Sequence, residues 1–261
     1  MLQAFTSVFL RAGLLCLCLS SFGTASDSRT TTFPTPGPKP PNTPPRSYGM
    51  VLFRDFEPLD VFGPLEALYR LASLHKLDLY LISETMDAVT TEPGLAAMNP
   101  HNSSFFPKIL PTHTFDDAPI PDVMIVPGGI GTRSPSLNRT IEYIAETYPK
   151  LHYLLTVCTG AGLAAKSGVL DSKHATTNKA AWNTIVAWRP QVNWVPHARW
   201  VVDGNIWTSS GISAGIDATM AFIEYAYGKD DATTVGNIME YERHEDPDWD
   251  PFSEVFHVPG A

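Results

Sequence analysis

The chain has 261 residues, 44% of them hydrophobic, which is enough apolar material to bury one full core without requiring two domains. Residues 1–46 hold four of the 18 basic groups and one of the 27 acidic groups, so residues 47–261 carry 14 basic against 26 acidic groups. A surface that acidic repels phosphate backbones, and nucleic acid is excluded as an expected partner.

The N-terminus has the layout of a signal peptide. Arg11 precedes a short apolar segment, Ala12 to Leu19, and the small residues Gly23 and Ala25 follow at signal-peptidase spacing, which predicts cleavage after Ala25. The competing reading is a membrane anchor. The run falls short of the ~18–20 residues a span requires and is broken by Ser20 and Ser21, so no membrane association is expected once residues 1–25 are removed. Residues 26–46 are rich in Ser, Thr and Pro, an extended linker ahead of a domain over 47–261. Cleavage removes Cys16 and Cys18, which leaves Cys158 as the only cysteine and allows no intrachain disulfide. An unpaired thiol in the secretory lumen or outside the cell is unusual, which marks Cys158 as reactive or sheltered. On that route Asn102-Ser103-Ser104 and Asn138-Arg139-Thr140 are glycosylation acceptors at expected surface positions.

Tyr48 to Phe53 reads as the first strand, and Val61 to Leu71 has apolar residues three or four apart, as on one helix face. Asp60 stands at the entry to that helix. A cap is the ordinary role there, but a carboxylate at the end of a first parallel strand also faces the binding crevice. Leu77 to Ser83 is a second strand, while residues 85–119, rich in Thr, Pro, Gly and Asn, read as short hairpins or irregular structure. Val123 to Val126 is a strand that runs into Pro127-Gly128-Gly129-Ile130-Gly131, where the missing Cβ atoms let backbone N–H groups approach a bound group. No Walker lysine and no Gly-x-Gly-x-x-Gly spacing accompanies it, so a nucleotide site is not indicated.

Residues 138–148 form a surface helix, and Leu151 to Val157 a strand that ends at Cys158-Thr159-Gly160-Ala161-Gly162. This is the pattern of a nucleophile elbow, in which a strand turns sharply into a helix and lifts its last side chain into a cleft. The first helical N–H groups would then lower the thiol pKa and hold an oxyanion. A buried, inert cysteine is the alternative. A helix to about Gly168, short strand-like Ala175 to Thr177 and a helix over Ala180 to Ile185 come next. Arg199 to Ser209 is a hairpin about Asp203-Gly204, and Ser213 to Tyr227 is a core helix. Ala232 to Tyr241 is helical and Glu245 to Phe252 an irregular closing segment. Alternating strands and helices predict an α/β fold, a largely parallel sheet sandwiched by helices.

Five landmarks in this order resemble the DJ-1/PfpI family, within the class I glutamine-amidotransferase-like fold, and its isonitrile-hydratase-like branch in particular. They are Leu59 to Glu66, Val126 to Gly131, Val157 to Gly160, Ala175 to Asn178 and Trp207 to Asp217. The resemblance implies a flavodoxin-like sheet, a Cys158 nucleophile, Asp60 beside its sulfur, and oxyanion binding by backbone at Gly128, Gly129 and Thr159. It also implies a homodimer. Proteolytic relatives carry a histidine after the cysteine and others one after the Ala-Thr-Thr stretch, where this chain has Thr159 and Asn178. A Cys-His mechanism is thus left without an assigned base, with His174, His197 and His244 as the remaining candidates.

Isonitrile hydration suits that inventory, because the terminal carbon of R–N≡C accepts both a proton and a nucleophile. Asp60 would deliver the proton as the thiolate attacks, then activate water, with Thr159 orienting water or the intermediate. The substrate is a small molecule, with a role expected in isocyanide natural-product metabolism, and no metal or other cofactor is required. A glyoxalase-like or deglycating enzyme, or a cysteine redox or binding protein without turnover, would use the same cysteine.

Overall fold

The computed structural model describes residues 40–261; the signal-peptide expectation and most of the Pro-rich linker lie outside the described residues. The end of that linker is already tied to the domain. Pro45 is buried, and the N–H groups of Arg46 and Ser47 both donate to Asp122 Oδ2, at 2.7 and 3.0 Å.

Strand β1 (Ser47–Val51) leads into α1 (Pro58–Leu71) and β2 (Asp78–Ser83). The helix begins three residues before its first apolar anchor because Pro58 fits the first turn, where its missing N–H leaves nothing unsatisfied. Residues 85–119 contain the antiparallel pair β3 (Val89–Thr90) and β4 (Lys108–Ile109), a 3₁₀ turn at Ala96–Met98, and β5 (His113–Thr114). Then come β6 (Val123–Val126), α2 (Asn138–Thr147), β7 (Tyr153–Thr156) and α3 (Gly160–Lys166). Parallel strands β8 (His174–Ala175) and β9 (Asn193–Trp194) flank α4 (Trp182–Trp188). The chain closes with β10 (Trp200–Asp203), β11 (Ile206–Ser209), α5 (Ala214–Tyr227), α6 (Lys229–Ile238) and α7 (Phe252–Val255).

The main sheet has the order β10-β11-β7-β6-β1-β2-β5. Only the β10–β11 pair is antiparallel, so the expected largely parallel α/β sandwich is what forms. Every residue of β6 and β7 is buried, as a strand covered on both faces requires. The covering layers are α1, α5 and α6, which pack together, and α2 with α3 and α4. From β1 the chain moves outward through α1 to β2, and from β6 it moves the opposite way through α2 to β7. The order therefore reverses between β1 and β6, and a crevice opens beyond their carboxyl ends.

The hairpin turn is Gly204-Asn205, one residue later than the Asp203-Gly204 expected from sequence. Asp203 instead pairs with Ile206, its carboxylate accepts the His174 N–H at 2.9 Å, and Gly204 takes the left-handed φ of 62°. Among the described residues no helix is long and apolar enough to cross a membrane, and no cluster of three His, Cys, Asp or Glu residues could hold a metal ion.

Candidate active site

Strand β7 delivers Cys158 to the carboxyl end of the sheet, and Cys158 itself turns left-handed, with φ 58°. That conformation costs an L-residue about 1–3 kcal/mol and persists only where its surroundings impose it. Here the Cys158 N–H donates to the Ser210 carbonyl at 3.1 Å, and the Thr177 hydroxyl donates to the Cys158 carbonyl at 2.8 Å. Gly160 lets α3 start at once, because a Cβ there would stand 2.2 Å from the Val126 carbonyl oxygen.

Asp60 lies in the first turn of α1 without capping it. Its Oδ2 instead accepts the Gly128 N–H at 2.9 Å, across the crevice between β1 and β6. Its Oδ1 is buried and has no hydrogen-bond partner. Burial raises the Asp60 pKa to about 7 and the Glu57 charge adds to the shift, against the opposing pull of the Gly128 N–H and the Cys158 thiol. Burial also pushes the Cys158 thiol far up, and the Asp60 charge pushes it further. Hydrogen bonds from the Ile212 and Thr159 N–H groups and the Asn178 amide pull it the other way. The lowered thiol pKa expected at the elbow is thus overturned in the resting site, where desolvation outweighs the N–H donors. A neutral Asp60 no longer repels a charge on the sulfur, which leaves burial alone to hold it protonated. Acid and thiol then behave as a pair that shares one proton and one negative charge.

Gly128 and Gly129 carry the loop past this pair, but not with free donors. The Gly128 N–H is held by Asp60, and the Gly129 N–H donates to Thr159 Oγ1 at 3.0 Å. Through these two bonds the glycines position the acid and the elbow. A Cβ on Gly128 would come within 2.8 Å of the Thr159 N, Thr159 Oγ1 and Asp60 Oδ2 atoms. Gly129 sits at φ 132°, and a Cβ there would meet the Asp55 carbonyl oxygen at 2.4 Å. Gly129→Ala is therefore expected to destabilise the fold by several kcal/mol and to detach the loop from Thr159, measured as a fall in urea midpoint. An unchanged midpoint would mean that the loop gives way freely.

The Thr159 hydroxyl is occupied likewise, donating to the Gly129 carbonyl at 3.1 Å and accepting from Thr132 at 3.2 Å. Only its backbone N–H faces the sulfur. The three candidate histidines have other engagements: His174 with Asp203, His197 with Ser253, and His244 stacked on Trp249. Asn178 and Ile212, which the sequence marked only as a missing histidine and as part of the Trp207 to Asp217 landmark, are the donors it did not identify. Both acceptor asparagines, Asn102 and Asn138, are exposed, although Thr140 of the second tripeptide is buried.

Cys158 is 5% exposed and Asp60 is fully buried. A cavity of about 620 Å³ is lined by Arg54, Asp55, Glu84, Met98, Ile130 and Arg133 among others, and neither Cys158 nor Asp60 lines it.

A cysteine on a strand-to-helix elbow, faced by a carboxyl group at the switch point of a flavodoxin-like sheet, defines the class. The chain belongs to the DJ-1/PfpI family, whose model matches residues 47–225. It is 33% identical over 195 residues to an isonitrile hydratase of Pseudomonas putida, covering 74% of this chain and 77% of that one. It is 26% identical over 213 residues to the HTH-type transcriptional regulator GbdR of Pseudomonas aeruginosa, covering 80% of this chain and spanning 54% of the regulator. In structure it is similar to a ThiJ/PfpI family protein from Pseudomonas syringae, with a TM-score of 0.65, 24% identity and coverage of 83% of this chain and 84% of that one. Drosophila melanogaster DJ-1beta aligns with a TM-score of 0.59 at 18% identity, over 76% of this chain and 99% of that one.

Proposed function

We propose that the protein hydrates an isonitrile to an N-substituted formamide, with Cys158 as nucleophile and Asp60 as the acid and then the base. The observation that carries this reading is the buried, unpartnered Oδ1 of Asp60 beside a sulfur that receives N–H donors and faces no histidine. Addition across an isonitrile carbon requires one proton and one nucleophile at the same atom, which is what the acid–thiol pair holds. The Asp60 proton moves to the terminal carbon as the sulfur bonds to it, giving the thioimidate R–N=CH–S. The Asp60 carboxylate then takes a proton from water as the water oxygen adds to that carbon, and passes this proton to the nitrogen. Expulsion of the thiolate leaves R–NH–CHO, and the remaining proton returns to the pair. Donors at Ile212, Thr159 and Asn178 stabilise the sulfur whenever it is charged.

Access supports the same substrate class. The isonitrile group is linear and bears no substituent on its reacting carbon, so it can reach a sulfur only 5% exposed. We place the enzyme in the secretory route and as a homodimer, readings supported by the segment after Arg11 and the exposed Leu59, Phe62 and Tyr69 along α1, and in isocyanide natural-product metabolism, a reading supported by the relative named an isonitrile hydratase.

The test is to mix the purified protein with an aryl isonitrile and follow the formamide by mass spectrometry, with methylglyoxal in parallel. Formamide at a rate proportional to enzyme is expected. Turnover of methylglyoxal alone would replace the hydratase reading with a glyoxalase one. Oxidation of Cys158 to the sulfinate, with neither substrate consumed, would make this a redox protein.

A further inference from the structure

We propose that the cavity of about 620 Å³ is a second ligand site, separate from the Cys158 and Asp60 pair, and that it takes a small apolar molecule carrying an amine or other cationic group. Its walls are drawn from residues 52–55 beyond β1, 83–90 from the end of β2 through β3, and 130–137 beyond β6, and β6, β1 and β2 are neighbours in the sheet. The carboxyl ends of adjacent parallel strands are where open α/β sheets bind ligands, and the volume falls within the ~300–1,000 Å³ of small-molecule pockets.

The inner wall is apolar. Leu52, Phe53, Val89 and Leu137 line it, none of them more than 8% exposed, while Leu95, Met98 and Ile130 stand exposed at the mouth. Two hydroxyls interrupt this lining. Ser83 is 6% and Thr140 2% exposed, both line the cavity, and among the described residues neither hydroxyl has a hydrogen-bond partner. Neither oxygen is sealed from solvent, so the little surface that each residue keeps includes its oxygen. A hydroxyl buried that far is ordinarily satisfied by protein, and these two are left for whatever fills the cavity.

Charge selects the occupant. Asp55, Glu84 and Asp87 line the cavity against Arg54 and Arg133. Arg54 is already engaged: its Nε donates to the Glu92 carbonyl and its Nη2 to the Pro93 carbonyl, both at 3.1 Å, and Nη2 pairs with the Glu92 carboxylate at 3.5 Å. Three acids therefore face one uncommitted base, and a cation is drawn to the mouth where an anion is repelled. The walls are held in place without a ligand. Asp55, left-handed at φ 64°, donates its N–H to the Thr90 carbonyl at 2.9 Å and accepts the Gly131 N–H at 2.9 Å. These bonds lace the loops beyond β1, β3 and β6 together, so little ordering remains to be done on binding.

The site does not depend on the hydratase reaction, and its test reads binding alone. Calorimetric titration of the purified protein with phenylbutylamine, phenylbutanol and phenylbutyrate compares a cation, a neutral group and an anion on one apolar body. The amine is expected to bind about tenfold tighter than the carboxylate at low salt, with the alcohol between them. Thr140→Val keeps the shape and removes a hydroxyl, and Glu84→Gln removes a charge at the mouth; each should weaken the amine about threefold, with thermal melting to show that the variant is folded. Cys158→Ala should bind the amine as wild type does. An alcohol or carboxylate bound as tightly as the amine would overturn the cationic assignment. Amine binding that neither Thr140→Val nor Glu84→Gln weakens, or that Cys158→Ala abolishes, would place the ligand elsewhere, and no heat from any probe at millimolar concentration would leave the cavity to water; either result overturns the proposal.

Discussion

Cys158→Ala is expected to abolish formamide formation, and Asp60→Asn to slow it by about 10³-fold, with both variants folded. The alanine removes the atom that bonds the substrate carbon. The asparagine keeps the acceptor for the Gly128 N–H, held at 2.9 Å in the wild type, but has no proton to donate and no carboxylate to activate water. Activity of the wild type should rise with pH through about 7, as the pair loses its first proton and becomes the reactive monoanion. Stability should run the other way. Asp60 titrates near 3.8 when unfolded and at about 7 when folded, so the native state binds the extra proton between those values. The stabilisation is complete below the lower value and is lost as pH rises through the upper one, a difference of about 4 kcal/mol. Asp60→Asn should therefore be more stable than wild type at about pH 8, with the gap closing toward about pH 4, as urea melts would measure. A wild-type stability that does not decline over that window would show that Asp60 is not a buried acid with a raised pKa, and the mechanism would lose its proton donor.

What was legible in the sequence follows from what each residue's role depends on. The elbow could be read because it is local: an apolar strand ends at Cys158, and Gly160 must follow, since a Cβ would lie 2.2 Å from Val126 oxygen. β6 and β7 could be read for the same reason, as unbroken apolar runs buried on both faces. The role of Asp60 could be stated only as a choice between cap and crevice, because its partner Gly128 lies 68 residues away. Asn178 was visible only as the absence of a histidine, because its place beside Gly211 and its bond to the Ala181 N–H are set by the fold. The thiol pKa was expected in the wrong direction because helix N–H groups are a local feature and burial to 5% exposure is a tertiary one. The two residues of β5, His113 and Thr114, form an edge strand that their pairing with Ile82 and Ser83 defines, with no apolar alternation to announce it.

Asp217→Ala is expected to cost about 3–5 kcal/mol and to free the chain beyond Ile238, because it leaves a buried guanidinium unpaired. Arg199 and Asp217 have side-chain exposures of 4% and 0%, and Arg199 donates twice to Oδ2, at 2.7 and 2.5 Å. Oδ1 accepts the Tyr241 hydroxyl at 2.9 Å and the His244 N–H at 3.0 Å, so one carboxylate ties α5 to the irregular segment that follows α6. Arg199 also binds that segment through its own N–H, which donates to the Pro247 carbonyl at 2.6 Å. Loss of the carboxylate should expose Arg243, now paired with Glu224, to trypsin, and a cut there in the variant but not in wild type is the expected readout. The same loss should reach Cys158. The Ser210 N–H donates to the Arg199 carbonyl at 2.8 Å, and the Ser210 carbonyl in turn accepts the N–H of Cys158. An Arg199 that shifts to find solvent would pull on the bond that helps hold Cys158 in its left-handed conformation, lowering formamide turnover as well as the urea midpoint. Asp217→Asn, which keeps the volume and an acceptor for Tyr241, should lose less of both. Equal melts for Asp217→Ala and wild type would mean that the buried pair contributes no net stability, and trypsin resistance with reduced turnover would place its effect on Ser210 rather than on the closing segment.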